Sequence, residues 1–369
     1  MRWGAGPTAG TPVYHPGDDC HMEHLHWLWD TDVLHDLMTG SPTLLLLIVI
    51  IACIALLSKG ADWMVDGVVV LAQRTGLSKI VIGATIISLG TTAPEASVSV
   101  MAAWMGNPGL ALGNGVGSII ADTGLIFGLA CVLAPIPVNR FILDRTGWVQ
   151  VGVATLLVVI SVYALASMPG QPVLNRWVGF FFLILLGVYL YLAYRWSRQN
   201  AGAYNRDDDV GTTNAGICWV MVIGGLLLVV AGARFLVPAA AEIAFRIGVP
   251  EDVIAATMVA LGTSLPELMT ALASIRKGHP EIAVGNIVGA DVLNCLFVIG
   301  ASAAVRPLSI PPNFFTFHFP AMLIILYSFR SFIFMNRDGW FKRWQGVWLL
   351  GIYLVYVVLQ YALNIELPG

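Results

Sequence analysis

Apolar residues run through this chain in blocks, and the blocks are apolar on every side. "TLLLLIVIIACIALL" from Thr43 and "WVMVIGGLLLVVAGA" from Trp219 are examples. Such runs approach or exceed the roughly 20 residues a helix needs to cross a hydrocarbon core. A β-barrel would instead alternate apolar and polar positions in strands of about ten. The pattern predicts ten helical spans, at residues 43–73, 77–104, 109–136, 147–168, 175–196, 215–246, 249–275, 281–304, 313–335 and 342–363. The expected fold class is therefore an all-α polytopic membrane bundle.

Polar positions interrupt this pattern twice in the same way. Residues 76–130 align without a gap on residues 248–302 at an offset of 172, with 18 identities in 55 pairs. Gly90, Thr91, Pro94 and Glu95 fall on Gly262, Thr263, Pro266 and Glu267, and Gly113, Asn114 and Gly117 fall on Gly285, Asn286 and Gly289. An internal repeat outranks other organisational signals. Five expected spans separate each element from its copy, and an odd number inverts the second copy. Two inverted five-helix repeats follow, the arrangement of many secondary transporters, with substrate expected at their midplane interface. The chain divides into a polar tail (1–41), a first half (42–197), a polar linker (198–213) and a second half (214–369).

Each copy contains a helix breaker. Pro94 has no N–H for the carbonyl of Gly90, so the helix is expected to break over Gly90 to Pro94, and likewise over Gly262 to Pro266. Broken helix at membrane depth is tolerated where it is buried in protein or lines a polar cavity. The breaks gather Thr91, Thr92 and Glu95 with Thr263, Ser264 and Glu267. A carboxylate there costs several kcal/mol unless a cation, a proton or a basic partner neutralises it, and no Lys or Arg lies at comparable depth in the repeat spans. The next helix adds a stripe, Asn114, Ser118 and Asp122, mirrored by Asn286, Ala290 and Asn294. These are spaced i, i+4, i+8 and share one face. Gly113 and Gly117, like Gly285 and Gly289, are small-xxx-small pairs suited to close helix packing.

Composition agrees: of 369 residues, 57% are hydrophobic and 11% charged. The net charge of −3 discriminates little, and nothing suggests nucleic acid binding. With the tail outside, 14 of the 19 Lys and Arg fall on loops expected to face the cytoplasm, which favours both termini outside. Four of the five cysteines, Cys53, Cys131, Cys218 and Cys295, lie in or beside apolar spans, as buried thiols do. The Asp207, Asp208, Asp209 run reads as a solvated loop, and the tail's Asp18, Asp19, Cys20, His21, Glu23, His24 and His26 as an acidic tail that concentrates cations weakly. Three carboxylates, Glu95, Glu267 and Asp122, with the Asn294 amide, hydroxyls and carbonyls, form a hard-oxygen set. Ca²⁺ fits it better than zinc or copper, and Mg²⁺ dehydrates too reluctantly. Sodium could share the oxygens.

The segments "GATIISLGTTAPEASVSV" with "GNGVGSIIAD", and "AATMVALGTSLPELMTAL" with "GNIVGADVLN", resemble the two α-repeats of the sodium/calcium exchanger family, of prokaryotic type. The resemblance implies a ten-helix fold, exchange of cytoplasmic Ca²⁺ for external Na⁺ by alternating access, and long first and sixth spans sliding against a fixed core. It implies cation-binding roles for Glu95, Glu267, Asp122, Asn294, Thr91, Thr92, Thr263, Ser264 and Ser118. The acid and amide at Asp122 and Asn294 are exchanged relative to simpler prokaryotic members, and Ala290 stands where a serine is expected. Asp291 is an added acid, a candidate for a proton or further cation. The expectation is an electrogenic Ca²⁺/Na⁺ antiporter in a prokaryotic inner membrane, with no cofactor, no enzymatic activity and no predictable protein partner. Ca²⁺/H⁺ exchange is the alternative. A channel fits a single-chain inverted repeat poorly, and an aspartyl protease would need two aspartates where the repeat pairs Asp122 with Asn294.

Overall fold

The computed structural model describes residues 37–75, 77–168, 170–199, 215–247, 262–336 and 338–362. The tail up to residue 36, most of the 198–213 linker and the 248–261 start of the second copy lie outside the described residues. Eleven helices are described. Helix α1 is Thr43–Thr75; α2, Lys79–Thr91, continues after a bend of 43° as α3, Ala93–Met105; and α4 is Pro108–Leu133. Then come α5 (Arg140–Ser167), α6 (Arg176–Gln199), α7 (Ala215–Arg246), α8 (Leu265–Arg276), α9 (Pro280–Val305), α10 (Phe314–Met335) and α11 (Arg343–Ala362). Seven of these are long and apolar enough to cross a membrane, eight with the bent α2–α3 pair. Helices dominate because lipid offers no partner to a backbone N–H or C=O.

The expected and observed elements differ in two places. Helix α5 begins at Arg140, seven residues before its apolar run, because the Asn139 side chain accepts from the Ile142 N–H at 3.3 Å and Asp144 is paired with Arg330 at 3.0 Å. Apolarity alone misses such a capped, charged first turn. The chain is also not purely helical. Strands β1 (Ile136–Pro137) and β4 (Trp340–Phe341) pair antiparallel, as do β2 (Val173–Leu174) and β3 (Leu308–Ser309).

These ladders fix the ends of the bundle. The β1–β4 ladder joins the α4–α5 loop to the α10–α11 loop, while β2–β3 joins α5–α6 to α9–α10. At the first end Lys79 meets Glu281 at 3.5 Å, at the start of α9. At the other, Arg306, just past the end of α9, donates to the Trp104 carbonyl at 3.3 Å. The bent α2–α3 unit therefore runs the length of α9. Both copies punctuate alike, with a left-handed glycine (Gly106, φ 98°; Gly278, φ 76°) followed two residues later by a helix-starting proline, Pro108 or Pro280.

Helix α9 is almost wholly buried, whereas α1 and α7 leave most of their surface to lipid and pack mainly on each other. Their crossing is close: a Cβ on Gly60 would lie 2.7 Å from the Gly225 carbonyl oxygen, and one on Gly225 would lie 2.5 Å from that of Gly60.

Candidate functional site

The site is assembled where α2 breaks into α3 and where α8 begins. Helix α2 runs through Gly90 and ends at Thr91; Thr92 (φ −80°, ψ −5°) is the joint, and α3 starts with Pro94 in its first two positions. The second copy repeats this, with Ser264 (φ −87°, ψ 6°) at the joint and Pro266 in the first two positions of α8. Both joints sit near the bridge region of backbone space. The break is thus narrower than the sequence suggested, and Gly90 is itself helical. The missing side chain of Gly90 admits Leu226 of α7, to which a Cβ would approach within 2.5 Å, and that of Gly262 admits Val237, at 2.9 Å. Glu95 and Glu267 fall in the first turns of α3 and α8, where the helix dipole favours negative charge.

Cross-copy hydrogen bonds lock the two breaks together. Thr91 donates to Asn286 Oδ1 at 3.3 Å, and its counterpart Thr263 donates to Asn114 Oδ1, also at 3.3 Å. The pair Asp122 and Asn294, one residue from each copy, is bonded directly: Asn294 Nδ2 donates to Asp122 Oδ2 at 3.3 Å. Asn114 also donates to the Glu95 carbonyl at 3.3 Å and to Ser99 Oγ at 2.9 Å. Each of Asp122 and Asn294 opens a stretch of π-helix, Asp122–Phe127 in α4 and Asn294–Ile299 in α9. Wide turns of this kind are frequent at functional sites, although π stretches also occur away from these acids, at Gly83–Ile87 and Phe314–His318.

The geometry leaves acceptors idle. Glu95 and Glu267 are 1% exposed, as are Asp122 and Asn294. Glu95 lies within electrostatic range of Glu267 and Asp122. Yet both carboxylate oxygens of Glu95, Asp122 Oδ1, Glu267 Oε2, Asn294 Oδ1, Thr92 Oγ1 and Ser264 Oγ have no hydrogen-bond partner. The ion pairs among the described residues involve other acids: Glu281, Glu242, Asp62, Asp66, Asp144 and Asp338. Buried polar groups are normally satisfied, and idle carboxylate, amide and hydroxyl oxygens are the ligand type that hard cations such as Ca²⁺ take. Among the described residues no three His, Cys, Asp or Glu side chains converge closely enough to hold a metal by themselves, so a cation here draws on hydroxyls and amides as well. Ser118 is buried one turn before Asp122. A cavity of about 340 Å³ at the Lys79 end is lined by Ser58, Met269, Leu272 and Arg276 but by none of these acids.

The remaining expected residues behave differently from one another. Gly285 and Gly289 pack tightly on α2, a Cβ on Gly285 falling 2.2 Å from the Ile80 carbonyl oxygen. Among the described residues nothing lies within 4 Å of a Cβ on Gly117, and Gly113 is buried. Asp291 is buried and receives hydrogen bonds from Thr123 and from Gln150 of α5. Sequence reading missed Thr123, Gln150 and Ser99. The one available signal for Gln150 was a lone amide in the apolar run "GWVQVGVATLL".

Comparison with known proteins agrees. A family model described as sodium/calcium exchanger protein matches residues 45–195 and 217–362. The chain is 29% identical over 349 residues to the sodium/calcium exchanger MaX1 of Methanosarcina acetivorans, covering 85% of this chain and 98% of that one. It is 31% identical over 324 residues to the Escherichia coli inner membrane protein YrbG, covering 85% and 96%. A solved structure of the sodium-calcium exchanger NCX_Mj, soaked with Na⁺ and Sr²⁺, superposes with a TM-score of 0.72 at 27% identity, over 86% of this chain and 99% of that one. The chain is an integral membrane protein of the sodium/calcium exchanger family.

Proposed function

We propose that this chain moves Ca²⁺ out of the cytoplasm in exchange for Na⁺, by alternating access, with net charge crossing in each cycle. The observation that carries the reading is the set of seven buried, partnerless oxygens drawn from both copies. Cations are the natural complement to such a set, and none of the ion pairs found among the described residues includes its acids. Glu95 and Glu267 are the central ligands, Asp122 and Asn294 complete the ring, and Thr91, Thr92, Thr263, Ser264 and Ser118 contribute hydroxyl or carbonyl oxygens. Asn114 and Asn286 orient the two threonines across the interface.

The architecture we infer is ten spans in two inverted halves, 42–197 and 214–369, joined by the 198–213 linker. Helices α8 and α11 supply the two spans beyond the eight counted above. The two ladders support the inversion, since each unites a loop of the first half with a loop of the second at one end of the bundle. With the Lys79 end in the cytoplasm, Arg140, Arg145, Arg195, Arg198, Lys342 and Arg343 lie inside, as the positive-inside rule asks, and both termini lie outside. A prokaryotic inner membrane fits this orientation.

The test is ⁴⁵Ca²⁺ flux in proteoliposomes. A Na⁺ gradient drives Ca²⁺ accumulation, clamping the membrane potential alters its rate, and Glu95→Gln or Glu267→Gln abolishes it while the protein still elutes as a monodisperse species. Ca²⁺ accumulation indifferent to Na⁺ and collapsed by a protonophore would assign H⁺ as the counter-ion and reject the sodium reading.

A further inference from the structure

Asp291 is the acid that the exchange site does not use. It lies three residues before Asn294, so about one helical turn (roughly 4.5 Å of rise) nearer the Lys79 end of α9. Repeat symmetry does not account for it: its counterpart in the first copy is Ile119, and the counterpart of Thr123 is Cys295. Whatever Asp291 does is done on one side of the pseudo-two-fold axis.

Its surroundings are built rather than incidental. Asp291 and Gln150 are each 1% exposed and Thr123 is fully buried. Thr123 Oγ1 and Gln150 Nε2 both donate to Asp291 Oδ2, and Gln150 Nε2 also reaches Thr123 Oγ1 at 3.3 Å. Three elements, α4, α5 and α9, thus converge on one carboxylate oxygen. The other oxygen, Asp291 Oδ1, has no partner, and neither has Gln150 Oε1. The charged and titratable groups nearby are Asp122, within electrostatic range across the α4–α9 contact, and Cys295 on α9 itself. None of the ion pairs among the described residues includes Asp291.

Three occupants could neutralise such a group, and the idle atoms choose among them. A proton on Oδ1 would create a donor with no acceptor to receive it, and a proton on Oδ2, donated to Thr123 Oγ1, would leave both Asp291 Oδ1 and Gln150 Oε1 idle. A divalent ion would leave a net positive charge at Asp291 in a low-dielectric interior, which is costly, because the other nearby carboxylate, Asp122, is assigned to the exchange site. A monovalent metal ion cancels the single charge and takes up both idle oxygens, with the threonine hydroxyl oxygen available beside them.

We propose that Asp291, Gln150 and Thr123 form a monovalent metal cation site, separate from the paired-glutamate site and one turn toward the Lys79 end. The inference deepens the exchange reading and takes its setting from it, adding one Na⁺ or K⁺ to each loaded transporter. It also means that the two halves are not equivalent in ion occupancy, since the second copy alone carries the acid.

Equilibrium binding to the purified full-length chain tests this without relying on transport. Binding of ²²Na⁺ and, in a parallel arm, ⁸⁶Rb⁺ as a K⁺ tracer is measured at saturation and fixed pH. Asp291→Asn is expected to bind one monovalent ion fewer per chain than the wild type, and the arm that shows the loss identifies the ion. Should Asp291→Asn fail to fold, Gln150→Met and Thr123→Val answer the same question: each weakens the half-saturating concentration of that one ion by about 10- to 100-fold. Unchanged stoichiometry and affinity in both arms overturn the proposal, as does an effect confined to proton release. Failure of the exchange reading shows separately, as absent Na⁺-driven ⁴⁵Ca²⁺ flux with the binding count intact.

Discussion

Alanine in place of Gly289 separates a packing requirement from simple helix propensity, because the two predict opposite signs. In a helix interior, Gly→Ala ordinarily stabilises by about 0.5–1 kcal/mol. At Gly289 a Cβ would lie 2.5 Å from both Cα and the carbonyl oxygen of Ala84, and 2.6 Å from Ser88 Oγ. Two of those atoms are backbone and cannot rotate away. Restoring ordinary contact requires α9 to move off α2 by roughly 1 Å, and overpacking of this kind costs about 1–3 kcal/mol. The net expectation is a loss of about 1–2 kcal/mol. The functional effect should be larger than the structural one, because α2 carries Thr91 and α9 carries Asn294, and a 1 Å misplacement of binding groups can cost about 100-fold. Gly152 of α5 is the internal control, since nothing among the described residues lies within 4 Å of a Cβ there. Initial ⁴⁵Ca²⁺ flux and the temperature of half-loss of the monodisperse peak should therefore both fall for Gly289→Ala and hold or rise for Gly152→Ala. A Gly289→Ala protein as stable and active as the Gly152→Ala protein would refute the interlock between α2 and α9.

The other expectations follow from the same contacts. Asp122→Asn should reduce Na⁺-driven ⁴⁵Ca²⁺ flux at least about ten-fold by removing a ligand charge, and the double variant Asp122→Asn with Asn294→Asp should recover most of it; a double variant as impaired as the single one contradicts the equivalence of the two positions. Asn114→Leu should destabilise by about 2–3 kcal/mol, because it removes hydrogen bonds to the Glu95 carbonyl, Ser99 and Thr263, whereas Asn286→Leu, which leaves Thr91 its bond to the Ser88 carbonyl, should cost about 1 kcal/mol; thermal unfolding in detergent that ranks them the other way rejects this account. Arg276→Gln removes the ion pair with Asp62 on α1, and since Arg276 is well exposed its cost should stay below about 1 kcal/mol and shrink with added salt, as thermal unfolding at two ionic strengths would reveal.

What the sequence disclosed, and what it hid, divides along a physical line. Constraints imposed by a residue on its own backbone were legible. Pro94 and Pro266 lack an N–H wherever they sit, and both copies do break beside them. Features set by contact between distant segments were not. The π stretches at Asp122 and Asn294 share no identical residue over their six aligned positions; their common geometry reflects packing at a shared place in the fold, and no one-dimensional pattern encodes it. Gln150 lies on α5, beyond the aligned repeat, so symmetry could not flag it. Pro94 leaves the Gly90 carbonyl without its N–H, which predicts a break over Gly90 to Pro94, whereas the structure keeps Gly90 helical, uses it to admit Leu226 and bends at Thr92. Asn114 and Asn286 carry the argument furthest. They are identical residues at aligned positions, yet Asn114 holds Ser99 and the Glu95 carbonyl, whereas the Nδ2 of Asn286 has no partner. Part of the difference is that Ser99 is matched by Ala271, which offers no hydroxyl. Sequence symmetry therefore marks where the two half-sites lie, while the substitutions that break it, Ala271, Ala290 and Asp291, mark where the two halves differ in polar groups and hydrogen bonding.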